Sequence, residues 1–363
     1  MRWLCASFLI LSLPLAAPSQ SQSVRIGVLG IFHAHQLTLS PVQDEGLLVT
    51  AGGQQIFLRP LSACRVLRVR SSANFLNLTC GGREMRVPEL RASGRNQQAA
   101  SLVLAIPGKI QRRYEGILTL KAKEGELIPV IEMDLETAVA AVVQAETDPG
   151  TPREAMKAQA VVSRSYLVAG AGRHKDFDFC DLTHCQLLRE PSVPGSPAAN
   201  AAAATRGMVL TFKGKPFAAM FTRSCGGHTR TPQEIGLTHA EYPYFSVLCE
   251  FCYKSPVRWT RKISSKDAAL LFLRRENGRL AIGHKLGWDA VPSNNFMARE
   301  QNGEVTLQGI GQGHGIGLCQ RGARHMAELG SNFHEILAHY FPNTKLENAM
   351  PSGRVAAGLG PDF

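Results

Sequence analysis

The sequence predicts an α+β protein, with an all-β N-terminal region followed by a larger mixed α+β region. Six short runs within residues 23–107 are apolar or alternate apolar and polar residues between Gly, Ser and Asn breaks, which is typical of strands. Residues 135–169 contain two segments with apolar residues at helical spacing, divided by Asp148-Pro149-Gly150. Further helices are predicted near residues 266–275, 321–329 and 333–340.

The chain of 363 residues is long enough for two domains. Residues 1–22 are typical of a secretory signal peptide, with Arg2, an apolar run over 4–15 and small residues over 16–19. A permanent N-terminal anchor is the alternative. We expect no transmembrane segment after signal cleavage, and a protein exported to the periplasm or cell envelope. The β-rich region then covers 23–107, the α+β region 108–346 and a loose C-terminal tail 347–363.

Composition and charge narrow the classes of partner. The chain is 44% hydrophobic and 19% charged, which is ordinary for a globular protein, and its formal net charge is +11. Its Lys and Arg residues are scattered, without a dense run or interleaved aromatic residues, so nucleic acid is not the expected partner. A basic surface also suits an acidic polymer such as cell-wall material.

The β-rich region shows no catalytic constellation. His33 and His35 stand two residues apart at the end of a strand, without further nearby ligands, and are interpreted as structural. Cys64 and Cys80 are predicted to form a disulfide in an exported protein. Such a loop contributes about 3 kcal/mol in the chain-entropy account.

Glu146 stands out among the carboxylates. It continues the helical face formed by Leu135, Val139, Val142 and Val143. Burial disfavours a carboxylate anion and raises its pKa, which suits a general acid or base. After the break, Thr151 to Glu154 is expected to start the second helix with a capping box.

The loop after the second helix carries His174, Cys180, His184 and Cys185. Four nitrogen and sulfur donors in twelve residues fit a tetrahedral zinc site, and four protein ligands make such a site structural. The competing hypothesis is a Cys180–Cys185 disulfide, which an exported compartment would favour.

Two glycine-containing stretches and one cysteine pair complete the pattern. Ser224-Cys225-Gly226-Gly227-His228-Thr229 follows a predicted hairpin. Residues 309–320 are rich in Gly, which alternates there with Gln312 and His314. Such backbones approach a ligand closely. Cys249 and Cys252 form a C-x-x-C without the βαβ context of a redox site, so a disulfide between them, or a pairing with Cys225, is expected.

Three blocks together resemble the SpoIID/LytB family of bacterial cell-wall proteins. The first runs from Leu135 through Glu146 to the segment 157–166, KAQAVVSRSY. The second is the segment 224–229, SCGGHT. The third is the segment 311–323, GQGHGIGLCQRGA, followed by 336–342, ILAHYFP. They occur in the family's order within residues 110–346.

The resemblance implies a SpoIID-like domain and a lytic transglycosylase that cleaves peptidoglycan glycan strands, with Glu146 as general acid/base. The resemblance also implies a zinc ion bound by His and Cys residues of the loop 174–185. One carboxylate suffices for this chemistry, whereas an ordinary glycosidase needs two. The alternative is a non-catalytic protein that enhances a cell-wall amidase, the possible partner. In the sporulation members of the family this Glu is usually followed by Met-Pro, whereas Thr147-Asp148-Pro149 follows here. The residues expected to bind substrate are Gln159, Arg164, Ser224, Gly226, Gly227, His228, Gln312, His314 and Gln320.

Overall fold

A computed structural model describes residues 22–42, 45–170, 174–183, 185–236 and 244–348. The predicted signal peptide and most of the predicted tail therefore lie outside the described residues. The α+β class is confirmed. No helix in the described ranges is both long and apolar enough to cross a membrane.

The N-terminal region is all β, apart from one 3-10 turn at Gly30–Phe32. Its strands include three that the sequence pattern missed: β2, β7 and β8. In chain order the strands are β1 Ser23–Gly27, β2 Gln36–Pro41, β3 Leu47–Ala51, β4 Gln54–Leu58, β5 Leu67–Ser72, β6 Phe75–Cys80, β7 Arg83–Val87, β8 Glu89–Ser93 and β9 Ala100–Ile106. The predicted disulfide between Cys64 and Cys80 is confirmed.

The sheet continues across the predicted boundary at residue 107. A long hairpin follows, formed by β10 (Ile110–Lys123) and β11 (Glu126–Asp134). Strand β10 pairs with both β8 and β9, and β11 pairs with β1. Twelve of the described strands form one sheet, including β12 (Phe179–Cys180). Their order is β12-β1-β11-β10-β9-β2-β5-β6-β7, with β8, β3 and β4 branching from β10. The N-terminal strands therefore support the hairpin that leads into the helices.

Two helices, α1 (Leu135–Glu146) and α2 (Arg153–Ala169), follow the hairpin directly. The Asp134 carboxylate caps α1 by accepting from the backbone N–H groups of Glu136 and Thr137. The predicted capping box of α2 is wrong. Pro152 occupies the cap position without a side-chain bond, and Glu154 instead binds Lys157 and the backbone N–H of Phe333. Glu154 thus joins α2 to a later helix.

The remaining elements pack around α1 and α2 or form a smaller unit. They are α3 Pro197–Ala204, β13 Met208–Phe212, β14 Lys215–Pro216, β15 Phe221–Thr222, a 3-10 turn Gln233–Ile235, α4 Glu250–Lys254, β16 Arg258–Ser264, α5 Ser265–Leu286, β17 Phe296–Gln301, β18 Glu304–Ile310, β19 Leu318–Cys319, α6 Gln320–Glu328, α7 Phe333–Tyr340 and β20 Lys345–Asn348. The predicted hairpin after residue 208 is shorter than expected. Strand β15 leaves it to pair in parallel with β19.

Two hydrophobic clusters hold these elements. The larger joins the N-terminal sheet with α1, α2, α3, α6 and α7, and the smaller joins β16, β18 and α5. The apolar face of α1 is buried as predicted, including Leu135, Val139, Val142 and Val143. Each such side chain contributes about 1.5–3 kcal/mol when buried. This packing fixes the position of Glu146 at the end of α1.

Candidate functional site

Glu146 is the last residue of α1 and lies at a cleft. The helix ends because Thr147 is extended and Asp148-Pro149-Gly150 cannot continue it. The Glu146 carboxylate accepts a 2.8 Å hydrogen bond from the backbone N–H of Leu187. Burial is the largest influence on this carboxyl and raises its pKa, and the Leu187 bond and Arg223 offset only part of that rise. The side chain keeps some exposed surface, so a ligand in the cleft can reach a carboxyl that holds its proton more tightly than usual.

The cleft beside Glu146 has a volume of about 390 Å³, which lies within the range of clefts that bind small ligands. Its walls come from the end of α1, the segments before and after β15, the middle of α5 and the glycine-rich stretch before β19. A narrower pocket of about 40 Å³ on the other side of Glu146 is lined by Asp148, Gln159 and Arg321 among others. Glu146 lines both spaces.

Two glutamines, Gln320 and Gln159, position the main chain at Glu146 through hydrogen bonds. The Gln320 Nε2 donates to the main-chain carbonyl of Glu146 at 3.1 Å and to Gln159 Oε1 at 3.3 Å. Gln159 is buried in α2 and donates in turn to the Ser163 hydroxyl at 3.1 Å. Gln159 is therefore a satisfied core amide that also positions the end of α1 through Gln320.

Gln312, His314 and Gln320, which are predicted to bind substrate, line the 390 Å³ cleft, and Gln320 also lines the narrower pocket. His314 Nδ1 accepts from the backbone N–H of Ile316 at 3.0 Å, which fixes the ring at the wall. Gly313 and Gly317 adopt positive φ angles of 95° and 71°. A Cβ at Gly317 would lie 2.1 Å from the Met220 carbonyl oxygen, so only glycine allows this approach of the strands.

Arg164 does not lie at the cleft, and its predicted substrate contact is corrected. Its side chain is 0% exposed and binds Glu136 in a bidentate pair at 2.8 and 2.6 Å. Two more of its N–H groups donate to the carbonyls of Ala202 and Met208 at 3.1 and 3.2 Å. Arg164 therefore joins α1, α2, α3 and β13, a structural role that a sequence motif alone does not distinguish from binding.

The predicted cleft wall at Ser224, Gly226, Gly227 and His228 is also corrected, since none of the four lines the cleft. In this segment the residues that line the cleft are Met220 to Arg223. Ser224 is buried with its hydroxyl 3.5 Å from Cys252 Sγ, and the exposed His228 ring stands edge-on to Tyr253.

The disulfide predicted for Cys249–Cys252, or for Cys225 with one of them, is not formed. Cys225, Cys249 and Cys252 are free thiols, buried together with Cys319.

The structure adds residues that the sequence pattern did not single out. Arg223 Nη2 donates to both oxygens of the Asp148 carboxylate, at 2.7 and 2.6 Å. Asp148, the acidic residue next to Glu146 along the chain, is therefore held in an ion pair. Arg279 and Trp288 line the cleft wall. Arg279 forms a buried pair with Glu276 at 2.8 and 2.6 Å. Although burial opposes it, this arginine holds the pKa of Glu276 below its usual value, which favours the charged carboxylate.

The loop 174–185 brings three of its four predicted ligands together, and the fourth, His184, lies outside the described residues. One donor atom each from His174, Cys180 and Cys185 lies within 4.8 Å of the others. The His174 Nε2 to Cys185 Sγ distance is 3.3 Å, and the backbone N–H of Cys180 donates to that sulfur at 3.4 Å. Cys180 and Cys185 do not form the competing disulfide with each other. Neutral imidazole nitrogen and thiolate sulfur are the donors zinc prefers, so this loop fits the metal.

Comparison with known proteins agrees with this architecture. The family model SpoIID, Stage II sporulation protein, matches residues 123–212, which hold α1, α2 and the loop. The Stage II sporulation protein D of Bacillus amyloliquefaciens is 27% identical over 266 residues, covering 61% of this chain and 76% of that protein. An uncharacterized protein of Brachyspira hyodysenteriae is 27% identical over 261 residues, covering 63% and 70%. The amidase enhancer of Bacillus subtilis is 36% identical over 61 residues, only 9% of its length.

The fold and the cleft place one partly buried glutamate at the end of the first helix. The matches support the resemblance to the SpoIID/LytB family that the three sequence blocks predicted. This similarity supports a cell-wall-related role.

Proposed function

We propose that this protein is a lytic transglycosylase that cleaves the glycan strands of peptidoglycan, with Glu146 as general acid and then general base. One observation carries the proposal. Among the residues that the structure describes, Glu146 is the sole carboxylate lining the 390 Å³ cleft, and burial raises its pKa. A carboxyl group whose pKa is raised holds its proton more readily, which makes it a better donor to a leaving oxygen.

The other nearby carboxylates are committed elsewhere. Asp148 pairs with Arg223, and Glu276 pairs with Arg279. Glu136 pairs with Arg164. A glycosidase that activates water, or forms a covalent intermediate, needs a second free carboxylate. The site therefore favours a reaction that one carboxyl group performs alone.

In the proposed reaction, the Glu146 acid protonates the glycosidic oxygen as its bond to C1 of the muramic sugar breaks. The C6 hydroxyl of the same sugar then attacks C1, and its proton passes to the Glu146 carboxylate. The product carries a 1,6-anhydro bond, and the carboxyl returns to its starting state without consuming water. The Leu187 N–H holds the carboxylate oriented, while Gln320 and Gln159 hold the end of α1.

Cationic side chains suit an acidic polymer at this site. Arg321 lines the adjoining pocket and forms no salt bridge with the described residues. Arg223, Arg279 and Arg324 also line these spaces, but each is paired with a carboxylate. The formal charge of +11 acts in the same direction. The predicted secretory signal would place the protein in the periplasm or cell envelope, where this substrate occurs. Zinc in the loop 174–185 would have a structural role, fixing the segment that delivers the Leu187 N–H.

A second function is supported by the short match to an amidase enhancer. In that case the cleft binds glycan without cleaving it, and a cell-wall amidase is the partner. Glu146 is then dispensable.

Mass spectrometry of purified glycan strands digested with the purified protein tests the proposal. We expect anhydro-muramic ends to accumulate. Hydrated reducing ends would instead show that the protein is a hydrolase. Unchanged strands would refute the proposal that it is an enzyme acting on glycan. A parallel reaction with an amidase completes the test, because an enhancer raises the amidase rate while leaving glycan intact.

A further inference from the structure

A second group of cysteines, separate from those of the loop 174–185, is buried together in the protein interior. Cys225 follows β15, Cys249 and Cys252 lie at the start of α4, and Cys319 ends β19. Their four sulfur atoms all lie within 4.8 Å of one another, and the four residues are buried. The Cys252 and Cys319 sulfurs are 3.6 Å apart. This arrangement unites three segments separated by up to 94 residues.

The spacing of the sulfurs matches one metal ion. A disulfide would bring two sulfurs to about 2.0 Å, and these cysteines are free thiols. In a tetrahedral zinc tetrathiolate, with zinc–sulfur bonds of about 2.3 Å, the sulfurs stand about 3.8 Å apart. An iron–sulfur cluster needs more room, because several irons and sulfides lie between its cysteines.

The surroundings supply hydrogen-bond donors to the sulfurs. The backbone N–H of Cys225 donates to Cys319 Sγ at 3.4 Å. The Tyr340 hydroxyl lies 3.4 Å from Cys249 Sγ, and the Ser224 hydroxyl lies 3.5 Å from Cys252 Sγ. Four thiolates around one zinc ion carry a net charge of −2, and such donors stabilise that charge in a buried site.

Glycine at position 322 keeps the space beside the sulfurs open. A Cβ there would lie 2.5 Å from Cys249 Sγ and 2.0 Å from the Tyr340 hydroxyl oxygen. The backbone N–H of Cys249 donates to the Gly227 carbonyl at 2.7 Å, which sets α4 against the loop 224–229. Gly322 of α6 therefore leaves room for the Cys249 sulfur of the cluster.

We propose that Cys225, Cys249, Cys252 and Cys319 bind one zinc ion as a structural tetrathiolate centre. Each thiol loses its proton as its sulfur binds the metal, so binding releases protons and transfers no electrons. The ion ties the loop 224–229 and α4 to the end of β19. Cys319 directly precedes Gln320, the residue that donates to the Glu146 carbonyl, so the centre stabilises the back of the cleft.

The test must separate this centre from the loop 174–185. We would prepare the full chain without a metal-affinity tag and measure bound zinc by mass spectrometry. The double variant Cys180→Ser/Cys185→Ser removes the loop's thiols. We expect it to keep about one equivalent of zinc, with an X-ray absorption spectrum showing only sulfur ligands. Adding Cys252→Ser to this variant should abolish that zinc.

Thiol mapping keeps the test decisive if the Cys252→Ser variant does not fold. In the unaltered protein, we expect the four cysteines to resist alkylation under native conditions and to react after denaturation with a chelator. Less than half an equivalent of zinc in the loop variant would overturn the proposal. Nitrogen or oxygen in its ligand shell would also overturn it, as would a disulfide joining any two of the four cysteines.

Discussion

Replacement of Glu146 by Gln changes the proposed acid with the least change of shape. The amide oxygen can still accept the Leu187 N–H now held at 2.8 Å by the carboxylate. The variant loses about 1 kcal/mol, because a hydrogen bond to a charged acceptor is stronger than one to a neutral acceptor. It gains stability because the amide, unlike a carboxylate anion, does not carry the cost of burying a charge. We therefore expect the free energy of unfolding to change by no more than about 1 kcal/mol.

Activity should respond far more strongly. Without its general acid the reaction should slow by about 10²–10⁴-fold, which corresponds to about 3–5 kcal/mol of activation free energy. The assay is the rate of anhydro-muramic ends released from purified glycan, with urea unfolding measured on the same samples.

Glu89→Gln provides the matched control, since Glu89 is an exposed residue whose pair with Lys121 is also exposed. It should leave the rate unchanged. If Glu146→Gln releases anhydro products at the parent rate while remaining folded, Glu146 is not the acid.

Three other changes test the site and its supports. Arg164→Ala leaves Glu136 without its buried partner and should lower the free energy of unfolding by about 3–5 kcal/mol in urea titrations; a loss under 1 kcal/mol would show that the pair is not structural. Gly322→Ala should lower the free energy of unfolding by about 1–3 kcal/mol, because the added Cβ overpacks the site. Gly30→Ala is the control and should change it little, since a Cβ there meets nothing within 4 Å. Equal effects of the two substitutions would contradict the crowding at Gly322. The pKa of Glu146 is raised from 4.5 in the folded protein, so its contribution to the free energy of unfolding is complete below that pH and is lost as pH rises through the folded-state pKa. Activity should fall over the same pH range. A Glu146→Gln variant should lack this change in stability.

Local features of the sequence were sufficient for much of the fold. Alternating and apolar runs predicted the N-terminal strands, and helical spacing with the Asp148-Pro149-Gly150 break predicted α1 and α2. Strand β7, Arg83–Val87, was missed because its residues are mostly polar and exposed, and its pairing with β6 alone makes it a strand. The continuity of the sheet past residue 107 was also not predictable, because β8 and β10 pair over a long separation.

The site divides in the same way. The sequence by itself determined that Glu146 ends an apolar helical face, that Gln312, His314 and Gln320 share a glycine-rich stretch, and that the loop 174–185 gathers zinc-type donors. Those properties depend on neighbours a few residues apart, which periodicity and spacing reveal.

Only the tertiary structure decided the roles that depend on distant segments. It placed Arg164 against Glu136 instead of in the cleft, and it brought Cys225 and Cys319 beside the C-x-x-C pair that alone had indicated a disulfide. Whether a buried cation, a thiol or an amide binds a ligand or a neighbour is set by which side chains the packing places within about 3–4 Å, and sequence spacing does not contain that information.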